Sequence, residues 1–136
     1  MKINCVWEHN GNDTLLYAVD HVGAYARGED LMIAVKKMLG EINTYRKWLG
    51  QDSLKEIEVV IVQEKASDLN IKDADSDVIF DSEKEPLTLA EYETLKALAL
   101  KSAKDFLAFY ESVPDKNTAS LPASSSVYSS NSDRNV

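Results

Sequence analysis

A chain of 136 residues carrying a formal net charge of −8, from 23 acidic and 15 basic side chains, has the size of one domain with room for an appended element. Its acidity repels phosphate and so argues against unaided binding to DNA or RNA, where affinity rests largely on Lys and Arg neutralising the backbone. No stretch reaches membrane-spanning length and the N-terminus lacks a charged region leading into an apolar core, so the chain reads as non-membrane, and the single cysteine, Cys5, fits a reducing, cytoplasmic setting.

Residues 1–9 alternate as a strand, with Ile3, Cys5 and Trp7 on one face and Val6 on the other. Asn10-Gly11-Asn12-Asp13 is hairpin-turn chemistry, because Gly and Asn accept positive φ. Residues 14–22 predict a second strand and the residues around Tyr25 a brief third one, with Gly23 at the connection and Gly28 at the strand's end. A helix follows over about residues 30–49, N-capped by Asp30. Leu31, Val35, Met38, Leu39, Ile42, Tyr45 and Leu49 keep to one of its faces, while Lys36, Lys37, Glu41, Asn43 and Lys47 lie away from it. Gly50 stops the helix from the position after its C-cap.

Residues 55–64 predict a strongly β-branched fourth strand, with Ile57, Val59 and Ile61 pointing one way and Val60 and Val62 the other. Apolar residues on both faces imply burial on both, or a partner. Residues 1–65 are therefore expected to form an α+β domain of ββ(β)αβ order, an antiparallel sheet with one packed helix and no internal repeat.

Residues 66–87 hold seven acidic residues and two lysines and read as an ordered acidic linker. Val78-Ile79-Phe80 anchors it, with a short strand expected near residue 79. A second helix is expected over residues 88–113, opened by the capping box Thr88-Leu89-Ala90-Glu91 and followed by Pro114. Tyr92, Leu95, Ala99, Ala103, Phe106, Tyr110 and Val113 make one stripe, widened by Leu98, Leu107 and Phe109. That is too much apolar surface for a helix lying alone in water. The Ser-rich residues 114–136 give no basis for a packed core and read as a flexible tail.

The opening hairpin, the run Val22-Gly23-Ala24-Tyr25-Ala26-Arg27-Gly28 and the helix start Asp30-Leu31 with Ala34 make residues 1–64 resemble the HicB-like domain of HicB-type antitoxins. Members commonly carry a Pro-Gly-Cys-type turn, a small strand, a Gly and a helix starting near Thr-Leu-x-x-Ala. Here Val22 stands at the Pro, Ala24 or Tyr25 at the Cys, and Asp30 at the Thr. The resemblance implies a partial RNase H-like sheet with a helix on one face, which in antitoxins binds a small toxin ribonuclease beside a separate DNA-binding element. No such DNA reader is evident after residue 65. The segment Leu87 to Asp115 resembles the first helix of a DinB-like four-helix bundle. That family's metal site uses histidines from later helices, so the resemblance implies a fused protein that stops after one bundle helix.

Candidate chemistry is sparse. His9 and His21 are the only histidines and are placed by the hairpin where they could approach each other, with Glu8, Asp13 or Asp20 as further zinc ligands. Exposed hairpin histidines are the commoner outcome. Cys5 paired with either histidine lacks a third, orienting group, and a core cysteine is the plainer reading. Asp73, Asp75 and Asp77, near Asp68 and Asp81, have the opening spacing of an EF-hand loop, but Val78 occupies the glycine position and Lys84 the glutamate position. Solvated acidity explains them better. Trp7 and Trp48 are core or interface residues, and Lys36-Lys37 and Arg46-Lys47 a solvent face, because base-stacking surfaces sit among cations.

No catalytic, cofactor or metal site is expected. The leading reading is a non-enzymatic, regulatory or antitoxin-like module that works by protein association, as a homodimer or with a small protein partner. Its interface residues are Tyr92, Leu95, Leu98, Phe106, Phe109 and Tyr110. The alternatives are a truncated HicB-like/DinB-like fusion derived from a metal-dependent hydrolase or transferase, and a nucleic-acid-binding regulator.

Overall fold

The computed structural model describes residues 1–68 and 76–117. The elements in chain order are β1 (Lys2–Asn10), β2 (Asp13–Ala18), β3 (Tyr25–Gly28), α1 (Leu31–Trp48), β4 (Glu58–Ala66), a 3-10 turn (Asp81–Glu83) and α2 (Leu89–Ser112). The fold is α+β, with a four-stranded mixed sheet, one helix packed on it and a C-terminal helix. The described residues divide into two compact units between Lys84 and Glu85, with α2 in the second.

Alternation along the strands builds the first unit. Ile3 and Cys5 of β1, Leu16 and Ala18 of β2, and Ala26 of β3 lie on one face and are buried. Against them α1 sets Ala34, Met38 and Ile42, a spacing of four that aligns side chains along one helical row. Leu31, Val35, Tyr45, Trp7, Leu54, Ile57 and Val59 rim this core half-buried. Leu39, expected in the buried stripe, is also only half-buried, and Ala34, noted in the sequence at the helix start but not placed in its buried stripe, takes a central place. A small residue is what allows the helix to sit close to the sheet.

The sheet order is β3-β2-β1-β4, with β1/β2 and β2/β3 antiparallel but β1/β4 parallel. An all-antiparallel sheet is thereby corrected to a mixed one. The reason is the crossover: α1 carries the chain back along the sheet after β3, so β4 starts from the same end as β3 and runs in its direction. β1 shares that direction because it is two antiparallel steps from β3. The fourth strand also skips Val62, since Cys5 pairs with Ile61 and Val6 with Gln63. This bulge breaks the alternation read across residues 57–62. β4 is an edge strand, so its two apolar faces are only partly covered, with Ile61 37% and Val62 52% exposed.

Local chemistry fixes the connections. Gly11 takes φ +60° in the two-residue loop between Asn10 and Asp13. Asp30 caps α1 through its Oδ1, which accepts from the Ile33 amide at 2.8 Å. Asn43, expected to face solvent, clasps the loop after α1: its amide nitrogen donates to the Leu54 carbonyl at 3.0 Å and its oxygen accepts from the Leu54 N–H at 2.7 Å. No strand forms near residue 79. Instead residues 76–80 cross the sheet face away from α1, held by two bonds of the Gln63 amide, one to the Ile79 carbonyl at 2.9 Å and one from the Asp81 N–H at 2.8 Å.

The second unit is a locally determined helix. Thr88 Oγ1 accepts from the Glu91 amide while Glu91 Oε2 accepts from the Thr88 amide at 2.8 Å, completing the capping box. The Thr88 hydroxyl also donates to Glu91 Oε2 at 2.6 Å, and that bond, followed by the one from the Thr88 amide, holds the Glu91 carboxyl below its ordinary range. At the far end Lys116 Nζ donates to the Val113 carbonyl at 2.7 Å, satisfying an acceptor that the helix leaves open. The tail beyond Asn117 and the linker stretch 69–75 lie outside the described residues.

Gly28 tests the packing directly. A Cβ there would stand 2.9 Å from Ala34 N, Asp30 O and Ile33 Cγ2, and two of these are backbone atoms that cannot yield without moving α1. Gly28→Ala is expected to lower unfolding stability by about 1–3 kcal/mol, the range for overpacking. Urea denaturation monitored at Trp7 and Trp48 measures it, and a change below a few tenths would show that α1 does not depend on this approach.

Candidate protein-association surface

The residues singled out for chemistry are dispersed by the fold. The β1/β2 register sets His9 opposite Thr14 beside the turn, whereas His21 lies beyond Ala18 at the other end of the hairpin. Roughly 14 Å of strand separates the two places, at about 3.4 Å per residue. His9 Nε2 lies 3.0 Å from Glu64 Oε1 and its ring 4.3 Å from that of Trp7. His21 is buried edge-on to Tyr45. Asp77 faces Lys65 at 3.4 Å and accepts from Ser67 Oγ at 3.3 Å, and Asp81 pairs with Lys84. Asp68 is exposed, while Asp73 and Asp75 lie outside the described residues. Among the described residues, no three His, Cys, Asp or Glu side chains are grouped to hold a metal ion.

Cys5 is fully buried, and burial, with the nearby Asp20 charge adding to it, pushes its thiol up to about 11. A thiol so rarely ionised is a poor nucleophile. Its weak bond to the Ile3 carbonyl at 3.7 Å stays inside the strand, so Cys5 is a small core residue. It is expected to react with a thiol reagent at pH 8 only after denaturant is added, and rapid labelling of the folded protein would contradict that placement.

Among the described residues, a polar cluster that the sequence did not announce surrounds Glu8. This glutamate is fully buried on the sheet face opposite α1. Its Oε2 accepts from Tyr17 Oη at 3.0 Å and from Ser76 Oγ at 2.7 Å, and its Oε1 from the Asp77 N–H at 3.2 Å. Burial, with help from Glu8, raises the Tyr17 phenol to about 12, while its contact with Ser76 opposes the shift. Tyr17 therefore remains a donor at neutral pH. A half-open cleft of about 150 Å³ beside it is lined by Leu15, Tyr17, Tyr25, Arg27 and Ser76. Arg27 faces Asp13 at 3.6 Å, and the cluster's hydrogen bonds tie linker to sheet. A buried acid immediately before His9 has no signature in a strand, so only the returning linker could reveal its partners.

His21 has a functional consequence for stability. Its Nδ1 is buried without a hydrogen-bond partner among the described residues. Burial, and secondarily Arg46, lower its pKa, with Asp20 opposing. The folded state therefore binds the proton less well than the unfolded chain, and stability present above the ordinary histidine range is lost as pH falls through the lowered folded value. Denaturation midpoints are expected to drop between about pH 7 and pH 5, and His21→Phe should flatten that part of the profile. An unchanged slope in the variant would rule out His21 as its source.

The surface that remains is α2. Tyr92, Phe106, Phe109 and Tyr110 are exposed and Leu95 and Leu98 half-buried; Phe106 is 68% and Phe109 67% accessible. Projected at 100° per residue, these six span roughly 120° of the helix, and Leu100 and Leu107 widen the arc to roughly 200°. No residue of α2 is buried. Lys101 pairs with Asp105 at 2.6 Å and Lys96 with Glu93 at 3.5 Å along the helix, and Lys96 falls inside the widened arc, between Tyr92 and Leu107. No described helix is long and apolar enough to cross a membrane. The arrangement can present a large, rigid apolar surface to another helix or sheet. Comparison with protein-family models, with curated proteins and with solved structures found no match.

Proposed function

We propose that this chain is a non-enzymatic, HicB-like association module whose C-terminal helix docks onto a second copy of itself. The observation that carries the reading is the exposed aromatic face of α2, with Tyr92, Phe106, Phe109 and Tyr110 on a helix of 24 residues. A helix of that length is about 36 Å long, enough to lie along a partner over several turns. Burying each large apolar side chain contributes about 1.5–3 kcal/mol, which offsets the entropy of ordering two chains.

An isologous contact suits a surface whose two ends are alike, since Tyr92 near one end and Tyr110 near the other allow antiparallel pairing about a twofold axis at the helix centre. The order of hairpin, short strand, helix and strand in residues 1–66 supports the HicB-like reading. The acidic charge of −8 disfavours a direct nucleic-acid role, and the buried thiol of Cys5 suits a reducing compartment.

Light scattering of the purified chain at micromolar concentration is expected to give more than the monomer mass. Phe106→Asp should lower that mass while circular dichroism of the sheet unit persists. A wild-type monomer, or a variant with undiminished mass, would overturn the role given to α2.

A further inference from the structure

The outer edge of β4 is a second apolar surface, independent of α2. It is nine residues long, Glu58-Val59-Val60-Ile61-Val62-Gln63-Glu64-Lys65-Ala66, and no strand pairs with it outside β1 among the described residues. The opposite edge, β3, has only four residues. Long β-branched edges invite strand addition unless charge, proline or a bulge blunts them. Here the bulge at Val62 interrupts the edge at its middle, but Ile61 and Val62 there are apolar and 37% and 52% exposed, and the charges sit toward the two ends, so the edge is blunted only in part.

The side chains at those ends, Glu58 and Lys65, are of opposite sign on one face, each in an exposed or half-exposed pair within its own chain, Glu58 with Lys2 at 3.9 Å and Lys65 with Asp77 at 3.4 Å, that solvent leaves weak. Glu58 pairs in register with Lys2 and Lys65 with Glu8, so Glu58 and Lys65 share the face away from α1. The hydrogen bonds fix what points outward. The Glu58 N–H donates to the Met1 carbonyl at 2.8 Å and the Ser67 N–H to the His9 carbonyl at 2.9 Å. Alternation inward from each end leaves the N–H and C=O of Val59 and of Glu64 facing the open edge. In a regular strand residues separated by an odd number lie on opposite faces. The bulge at Val62 reverses that parity, so Glu58 and Lys65 match in face, and Val59 and Glu64 in both face and outward bonds.

We propose that β4 is a homotypic docking edge, on which β4 of a second copy pairs antiparallel with Glu58 of each copy opposite Lys65 of the other. In this register Val59 opposes Glu64, Val60 opposes Gln63, and Ile61 opposes Val62 at the twofold axis. Two four-stranded sheets then become continuous. Opposite charges directly across a strand pair stabilise it, and like charges destabilise it. The twofold axis makes each Glu58–Lys65 match occur twice. A one-residue slip would oppose unlike faces and lose both matches.

The test is a charge-exchange series in the full chain carrying Phe106→Asp, so that association through α2 is already removed. Sedimentation equilibrium of this background up to about 100 μM is expected to show a dimer. Glu58→Lys or Lys65→Glu alone should raise its dissociation constant about tenfold or more. Glu58→Lys combined with Lys65→Glu should restore it. Val62→Lys, which sets two cations together at the axis on an exposed site, should give monomer with unchanged circular dichroism. A monomeric background, or a double exchange that stays as weak as the single ones, overturns the pairing. If the wild-type chain keeps its mass on Phe106→Asp yet loses it on Glu58→Lys, the α2 reading fails and the β4 proposal stands.

Discussion

The seating of α1 against the sheet is the constraint on which the first unit depends. Ala34, Met38 and Ile42 form a single row, and the sheet answers with Ile3, Cys5, Leu16, Ala18 and Ala26. Most of these sheet residues are small or medium, and the approach is closest where Gly28 meets the first turn of the helix. Because α1 is also the crossover between β3 and β4, the same packing decides the direction of β4. The parallel pairing of the edge strand follows from where the helix lies.

The other face of the sheet is organised by polar rather than apolar burial. An acid with no exposure would cost several kcal/mol if left without partners. Glu8 has three donors, and two of them, Ser76 Oγ and the Asp77 N–H, come from the returning linker. Tyr17 joins that network with its hydroxyl, and its ring lies tilted against that of Phe80 with centroids 5.4 Å apart. The linker thus closes over a sheet face that strand alternation alone would have left partly apolar, and its acidity belongs to solvent only in part. Asp77 is turned toward Lys65 and Ser67.

Two apolar surfaces are not absorbed by these arrangements. The face of α2 is broad and aromatic, on a helix whose ends are satisfied by its own Thr88, Glu91 and Lys116. The edge of β4 is narrow and offers backbone hydrogen bonds as well as side chains. They differ in what they ask of a partner. A helix face gains mainly from area removed from water, whereas a strand edge imposes register and direction. On the two proposals, one would be a broad contact and the other a directional one, and two twofold interfaces of this kind permit higher closed assemblies.

Local chemistry made much of this legible in the sequence. Asp30 as a cap, Thr88 with Glu91 as a capping box, the turn at Gly11 and the burial of Cys5 each rest on interactions within a few residues or on simple alternation. The aromatic stripe of α2 could be read from periodicity for the same reason. The parallel direction of β4, the bulge at Val62, the clasp of Asn43 on Leu54 and the burial of Glu8 could not. Each depends on a partner far away in sequence, where side-chain type says little about what will be met. Sequence alone determined the two helices, the four strands of the sheet and the helix that carries excess apolar surface, but not that residues 76–80 stay irregular. Tertiary structure decided direction, register and the fate of buried polar groups, because these are set by long-range contacts made only once α1 has crossed the sheet and the linker has returned over it.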